Sequence, residues 1–241
     1  MIKRTEGVVL KNFPFGEADL IVTYLSYDYG LLKVFAKGSR KIKSRFGSSL
    51  EPLTYSKISF IGKEGANLPR LIQSDIIHSF QKLREDFRFF QNISEIIELS
   101  LKLLPEYEAN FEAFKLLKDI LLKLEADGNK RLYYLYFTAR FLEIMGYSPR
   151  LDTCGRCGKS NLLLNNTLSS HLLYMSDGLV YCDKCIEDNN NFVALSKGVV
   201  RFYISLLRWR QSMIDRIRVP DNLLTESFNL IKSHVSYILI R

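Results

Sequence analysis

Cysteine is the residue type in this chain most suited to chemistry, and all four copies fall in two C-x-x-C pairs. The pairs are Cys154/Cys157 and Cys182/Cys185, with 24 residues between them. Two intervening residues let both sulfurs of a pair reach one face of a tight turn. Two such turns brought together make a tetrahedral four-sulfur shell, which is the shell of structural zinc. Gly158 follows the first pair, where it permits a positive φ that turns backbone N–H groups toward sulfur. The second pair is followed by Ile186 and makes a less typical knuckle. Disulfides are disfavoured in a reducing cytosol, a thioredoxin-type dithiol needs a βαβ unit that the sequence lacks, and an iron–sulfur cluster can use the same ligands. The reading adopted is one structural Zn2+ held by Cys154, Cys157, Cys182 and Cys185. Four thiolates close the shell to water, so this metal braces the fold and catalyses nothing.

A second pattern is electrostatic. The net charge is +8, spread as +5 over residues 1–80, 0 over 81–150, −2 over 151–190 and +5 over 191–241. A positive field concentrates polyanions, although it also aids solubility, and the total alone does not separate the two. Between Asp28 and Glu51 there is no acidic residue, yet Lys33, Lys37, Arg40, Lys41, Lys43 and Arg45 all lie there. Serine and glycine separate the later charges, which predicts a mobile basic loop. On the strand before it, Lys33, Phe35 and Lys37 share one face by the period of two. Cations alternating with a ring suit a single-stranded nucleic acid, with charge meeting phosphate and the ring stacking a base. The opposing reading is a solvated loop with Phe35 in the core. If five cations each neutralise one phosphate of a single strand, log K falls with log salt at a slope of about −3.5.

A second cluster, Arg201, Arg208, Arg210, Arg216 and Arg218, surrounds the single tryptophan, Trp209. Arg201 and Arg208 lie seven apart and share a helical face. They either extend a nucleic-acid track or dock an acidic peptide, or else form a solvated face beside a tryptophan that caps the core.

The elements that must position these groups follow from periodicity. Thr5–Asn12, Ala18–Ser26, Leu31–Lys37, Leu53–Ile61 and Leu71–Ile77 read as strands, bounded by turns such as those at Gly16 and Gly30. Five strands in about eighty residues fit a small barrel, and the OB-fold is the commonest of these on nucleic acid; an SH3-like barrel or open sheet remains an alternative. From Ser79 the period becomes helical, running through Leu104 to Pro105, then from Asn110 to Ala126 and from Lys130 to Met145. A cysteine-bearing insert follows, with hairpin strands at Leu162–Leu164, Leu172–Tyr174 and Leu179–Tyr181. Helices resume near Ser196 and from Asp221 to Ile240. The expected fold class is α+β: a five-stranded OB-fold β-barrel (1–79), an α-helical domain in two parts (80–151 and 191–241), and a four-cysteine zinc-finger insert (152–190).

Signs of catalysis are missing. No HExxH, GxSxG or GxGxxG is present, and Gly158-Lys159-Ser160 imitates a phosphate loop whose first glycine is here Thr153. His78, His171 and His234 form no recognisable triad, and Glu106/Glu108 read as solvated charge. The expectation is a non-enzymatic protein without a small-molecule substrate. No run is long and apolar enough for a membrane span and the start lacks an apolar signal region, so the expected location is cytoplasmic.

The order of several short motifs carries a resemblance. They are Gly7-Val-Val-Leu10, Gly16-Glu-Ala-Asp19 with Ile21-Val22, Asp28-Tyr-Gly30, Ala36-Lys-Gly-Ser-Arg40, Tyr133-Tyr134-Leu135 with Phe141, Gly146-Tyr147-Ser-Pro149 and Cys154-Gly-Arg-Cys157-Gly158. Over essentially its whole length the chain resembles the recombination mediator RecO family. The resemblance implies an N-terminal OB-fold, a helical C-terminal domain and a zinc finger inserted among the helices. It further implies binding of single- and double-stranded DNA, annealing of complementary strands and a complex with RecR. With RecR, members help load RecA onto DNA coated by single-strand-binding protein (SSB), and they recognise the acidic SSB C-terminal tail. The family's basic barrel residues map onto Lys37, Arg40, Lys41, Lys43 and Arg45. No motif carries over for the peptide site, so Arg201, Arg208 and Arg210 are assigned there by charge alone. Ile186 and the absence of a basic tail after Arg241 depart from the family pattern. A different class also fits barrel and zinc module: an RNA-binding factor of translation or ribosome assembly.

Overall fold

The amino-terminal strands close on themselves. The structure is a computed structural model that describes residues 1–62, 68–128, 130–159, 172–176, 178–185 and 193–240. Strands β1 (Ile2–Phe15), β2 (Asp19–Ser26), β3 (Gly30–Ala36), β4 (Tyr55–Ile61) and β5 (Arg70–His78) form a closed barrel in the order β1-β2-β3-β5-β4. Neighbours run antiparallel except β3 and β5, which meet in parallel at Phe35 and Arg70. This is the five-stranded architecture expected of an OB-fold.

Strand β1 has 14 residues, longer than its apolar stretch predicts, because it serves two neighbours. Its first half pairs with β4, from Ile2–Ile61 to Val8–Tyr55. Its second half pairs with β2, from Gly7–Ser26 to Phe15–Asp19. A strand shared in this way must bend, and a register shift between Val9 and Lys11 supplies the bend. Inward-facing Val9, Val22, Tyr24, Leu32, Val34, Ile58 and Leu71 fill the barrel, and Phe46 and Leu50 from the β3–β4 connection join them.

The helical period after Ser79 predicts one continuous helix, but two form: α1 (Gln81–Glu85) and α2 (Phe87–Leu103). Phe80, fully buried, adopts a left-handed φ of 47°. Asp86 is extended, and its carboxylate accepts the Arg88 N–H at 2.9 Å, capping α2. Helix α3 (Phe111–Asp127) begins at Asn110, whose side chain accepts the Ala113 N–H. These helices remain with the barrel. Phe114 of α3 packs edge-on against Tyr27 at 5.8 Å, and Arg84 of α1 donates to Pro52 O and Thr54 Oγ1. The first compact unit therefore runs from Met1 to Lys130, whereas the barrel strands end at His78.

The second unit, Arg131–Arg241, is built around α4 (Arg131–Ile144). Leu132–Phe137, Ala139, Phe141 and Leu142 are buried on all sides of that helix, as its aromatic run requires. The other elements are β6 (Arg150–Cys154), β7 (Leu172–Ser176), β8 (Leu179–Tyr181), β9 (Val193–Ser196), α5 (Lys197–Arg208), α6 (Gln211–Ile214) and α7 (Asp221–Ile240). The four strands form a sheet in the order β6-β8-β7-β9. Of the predicted hairpin, β7 and β8 are present, while Leu162–Leu164 lies outside the described residues, as do His171 and Ile186. Strands β6 and β9 were not expected. Glu226 of α7 accepts both the Ser196 N–H (2.7 Å) and its hydroxyl (3.1 Å), fixing the β9–α5 junction. Among the described residues no helix is long and apolar enough to cross a membrane.

Candidate metal centre and nucleic-acid interface

The two cysteine pairs converge because β6 and β8 pair in parallel. Cys154, the last residue of β6, stands opposite Val180, and Cys182 follows β8 directly. Gly155 donates to the Val180 carbonyl at 2.9 Å, and a Cβ at Gly155 would approach the Leu179 side chain to 2.9 Å. The first turn closes through Gly158 N–H to Cys154 O at 3.0 Å, with Gly158 at φ +65°. The second closes through Cys185 N–H to Cys182 O at 2.9 Å.

All four Sγ atoms lie within 4.8 Å of one another, and Cys157 and Cys182 sulfurs are 4.0 Å apart. Tetrahedral zinc–sulfur bonds of about 2.3 Å place sulfurs about 3.8 Å apart, whereas a disulfide needs about 2.05 Å. The arrangement fits a four-coordinate metal and contains no disulfide. Burial raises the Cys154 thiol, but backbone N–H groups of Cys157, Cys182 and Arg156 aimed at its sulfur bring it down to about 6. That cluster of donors favours the thiolate a metal requires. Cys182 and Cys185 go the other way: burial raises Cys182, and the neighbouring Cys182 sulfur pushes Cys185 up to about 12. Four sulfurs this close resist sharing negative charge unless a cation sits among them.

On the barrel, the basic segment expected as a loop after β3 is tied down by hydrogen bonds. Gly38 N–H donates to Asp19 Oδ1 at 2.6 Å, Arg40 N–H to Ala18 O at 2.8 Å, and Ser44 N–H to Lys41 O at 2.9 Å. At its far end Phe46 is buried in the barrel core, with the Arg45 guanidinium 4.9 Å from its ring centroid. Lys37, Arg40, Lys41, Lys43 and Arg45 are exposed, and none has an acidic partner among the described residues. Lys33 differs: its ammonium is ion-paired with Glu106. Glu106 is thus not merely a solvated charge.

Phe35 is half-buried and lies on the outer face, not in the barrel core. Cross-strand register builds a row on that face, Phe13–Ile21–Phe35, with Arg70 beside Phe35. The neighbouring row is Lys11–Thr23–Lys33. Phe13, Phe15, Lys11 and Arg70 were not singled out in the sequence. Once β1 is known to reach Phe15 in register with β2, alternation would reveal them.

In the second unit Arg201 and Arg208 are exposed on α5, opposite its buried face of Val199, Phe202, Tyr203 and Leu206, and Arg210 is exposed just beyond. Trp209 is half-buried and packs edge-on against Phe202 at 5.7 Å, so it caps the core. His78 lies 2.5 Å from Glu125 and His234 2.5 Å from the Tyr147 carbonyl, both structural contacts.

The model of the family described as Recombination protein O N terminal matches residues 1–80, and that of Recombination protein O C terminal matches residues 86–239. The chain is 43% identical over 240 residues to a protein of Thermodesulfovibrio yellowstonii named DNA repair protein RecO, covering 98% of this chain and 92% of that one. Proteins of the same name from Caldanaerobacter subterraneus and Syntrophus aciditrophicus are 29% identical over 235 residues and 28% over 238. These matches cover 96% and 98% of this chain and 91% and 90% of the relatives. Matched by these family models over nearly its whole length and by a relative 43% identical, the chain belongs to the RecO family.

Proposed function

We propose that this protein is a recombination mediator of DNA repair that grips DNA by charge and catalyses no reaction. The observation that carries the reading is the folded segment 37–45 on the barrel, whose five cations are exposed and have no acidic partner among the described residues. Lys37, Arg40, Lys41, Lys43 and Arg45 meet successive phosphates, and contacts of that kind position a strand without reading its sequence. Lys33 contributes less, since Glu106 already neutralises it. Neutralised strands no longer repel, so complementary ones pair while both are held, and double-stranded DNA is bound through the same phosphates. In this reading the protein acts with RecR to help load RecA onto SSB-coated DNA in the cytoplasm. Arg201, Arg208 and Arg210 receive the acidic SSB tail.

One zinc ion held by Cys154, Cys157, Cys182 and Cys185 cross-links β6 to the end of β8 and folds the insert. The test is strand annealing on SSB-coated complementary oligonucleotides. The wild-type chain should accelerate pairing, and a chain reversed in charge at Arg40, Lys41 and Lys43 should not. Acceleration by both would move the DNA site elsewhere. The translation-factor alternative shares the barrel and cysteine cluster but draws no support from the family matches, and preference for structured RNA over single-stranded DNA at matched salt would favour it.

A further inference from the structure

Two phenylalanines stand in water on the face of β1 that looks away from the barrel core. Phe13 is 59% exposed and Phe15 51% exposed. Phenylalanine has no polar atom to satisfy, and burying such a side chain is worth roughly 1.5–3 kcal/mol, so two exposed on one strand face form an apolar patch that calls for an occupant. They are not isolated. Register places Phe13 beside Ile21 and Ile21 beside Phe35, and the Phe15 and Phe35 rings meet edge to face, centroids 5.8 Å apart at 87°. Asp19, paired with Phe15 in the β1–β2 ladder, also accepts the Gly38 N–H at 2.6 Å. That hydrogen bond anchors the start of the cationic segment at the end of the strands where the rings lie. Lys11 and Arg70 flank the same row.

Apolar rings bordered by exposed cations match one class of occupant better than any other. An unpaired nucleic-acid strand offers base faces to the rings and phosphates to the cations in the same stride. In a duplex those faces are stacked inside and only edges and backbone remain outside. We propose that Phe13 and Phe15, with Phe35, form a base-stacking platform that lets the barrel sense whether the bases it holds are paired. The proposal rests on the reading that this barrel binds DNA and adds a consequence to it. Charge holds paired and unpaired strands alike, whereas stacking holds only unpaired ones. When two strands anneal, their bases turn toward each other, the stacking contribution disappears, and the finished duplex remains bound by charge alone. Pairing itself then loosens the grip, because the duplex keeps only the charge contribution.

The experiment uses the full chain and three probes carrying the same number of phosphates: an oligothymidine strand, an abasic strand and a duplex. The wild type should bind oligothymidine at least about tenfold more tightly than the abasic strand. Phe13→Ala with Phe15→Ala should abolish that preference while leaving affinity for the abasic strand, affinity for the duplex and the salt slope unchanged. Retained duplex binding shows that the variant is folded. Phe13→Leu with Phe15→Leu, apolar but without rings, should lose the preference too. A double variant keeping the wild-type ratio of oligothymidine to abasic binding overturns the platform. So does a ratio left intact while sedimentation shows a dimer dissociating, which would give the face to a second copy of the chain. A wild type that binds none of the three probes overturns the DNA reading itself.

Discussion

Gly30 sits so close to Glu108 that a Cβ on the glycine would stand 1.8 Å from the Glu108 carbonyl oxygen. Gly30 also has φ +57°, a conformation that residues with side chains adopt at a cost. The turn between β2 and β3 thus serves as the seat for the segment between α2 and α3, which bridges back to Gly30 and Leu31 through Glu106. Gly30→Ala should destabilise the first unit by about 2 kcal/mol or more, because both the backbone angle and the neighbouring carbonyl object. Urea unfolding followed by far-UV circular dichroism checks it, and a midpoint unchanged from wild type would show that the two segments part easily.

Arg40→Glu with Lys41→Glu and Lys43→Glu should weaken single-strand binding several-fold at about 50 mM salt. Three fewer phosphate contacts should also flatten the log–log salt slope by about 2. Lys33→Gln provides the contrast: Glu106 already occupies that ammonium, so its effect should be clearly smaller than that of neutralising Lys41 alone. Fluorescence anisotropy titrations over a salt series measure both quantities. Equal losses at positions 33 and 41 would mean that DNA displaces Glu106.

Metal analysis of the purified chain should give one zinc per molecule. Cys154→Ser should abolish retention and, like a strong chelator, lower the melting temperature of the second unit by many degrees, since ligand binding and folding share one free energy. DNA affinity of the barrel should change less than about twofold, because the cysteines contribute no positive charge. Loss of DNA binding together with the metal would contradict the division of labour between the units.

His234 makes the second unit acid-sensitive. Burial holds its imidazole below the ordinary range, partly countered by the Tyr147 carbonyl. Its Nε2 faces that carbonyl, and Nδ1 is buried without a hydrogen-bond partner. Below about pH 6.5 the unfolded chain takes up a proton that the folded chain resists, so the unfolded state gains and stability falls. Above that pH the histidine contributes no slope. Between pH 7.5 and 5.5 the wild type should lose more melting temperature than His234→Gln, measured by calorimetry with zinc present. Equal losses would assign the acid sensitivity to other groups.

What could be read in the sequence follows physical rules. Strands β2 to β5 were visible because alternation and β-branched residues mark them locally. Both ends of β1 were hidden, since Pro14 and the flanking polar residues look like a turn until the register with β2 is known. The break at Asp86 was legible in principle, because an aspartate before Phe87 is an ordinary N-cap, but the apolar period runs straight through it. Strands β6 and β9 have only five and four residues, and their pairing depends on partners distant in the chain. The cysteine cluster was the most legible feature, since two short spacings determine it. Pairing of Lys33 with Glu106, 73 residues away, left no local trace. Nor did the exposed ring row, whose members come from three strands.

The first compact unit closes at Lys130 and not at the last barrel strand, which has a practical consequence for dissecting the protein. A piece trimmed after His78 would strip Phe114 from Tyr27 and Tyr55, and Glu125 from His78. Its wet aromatic scar would favour aggregation, and a failed binding assay on it would say little about the barrel. The shortest fragment worth expressing ends at residue 130.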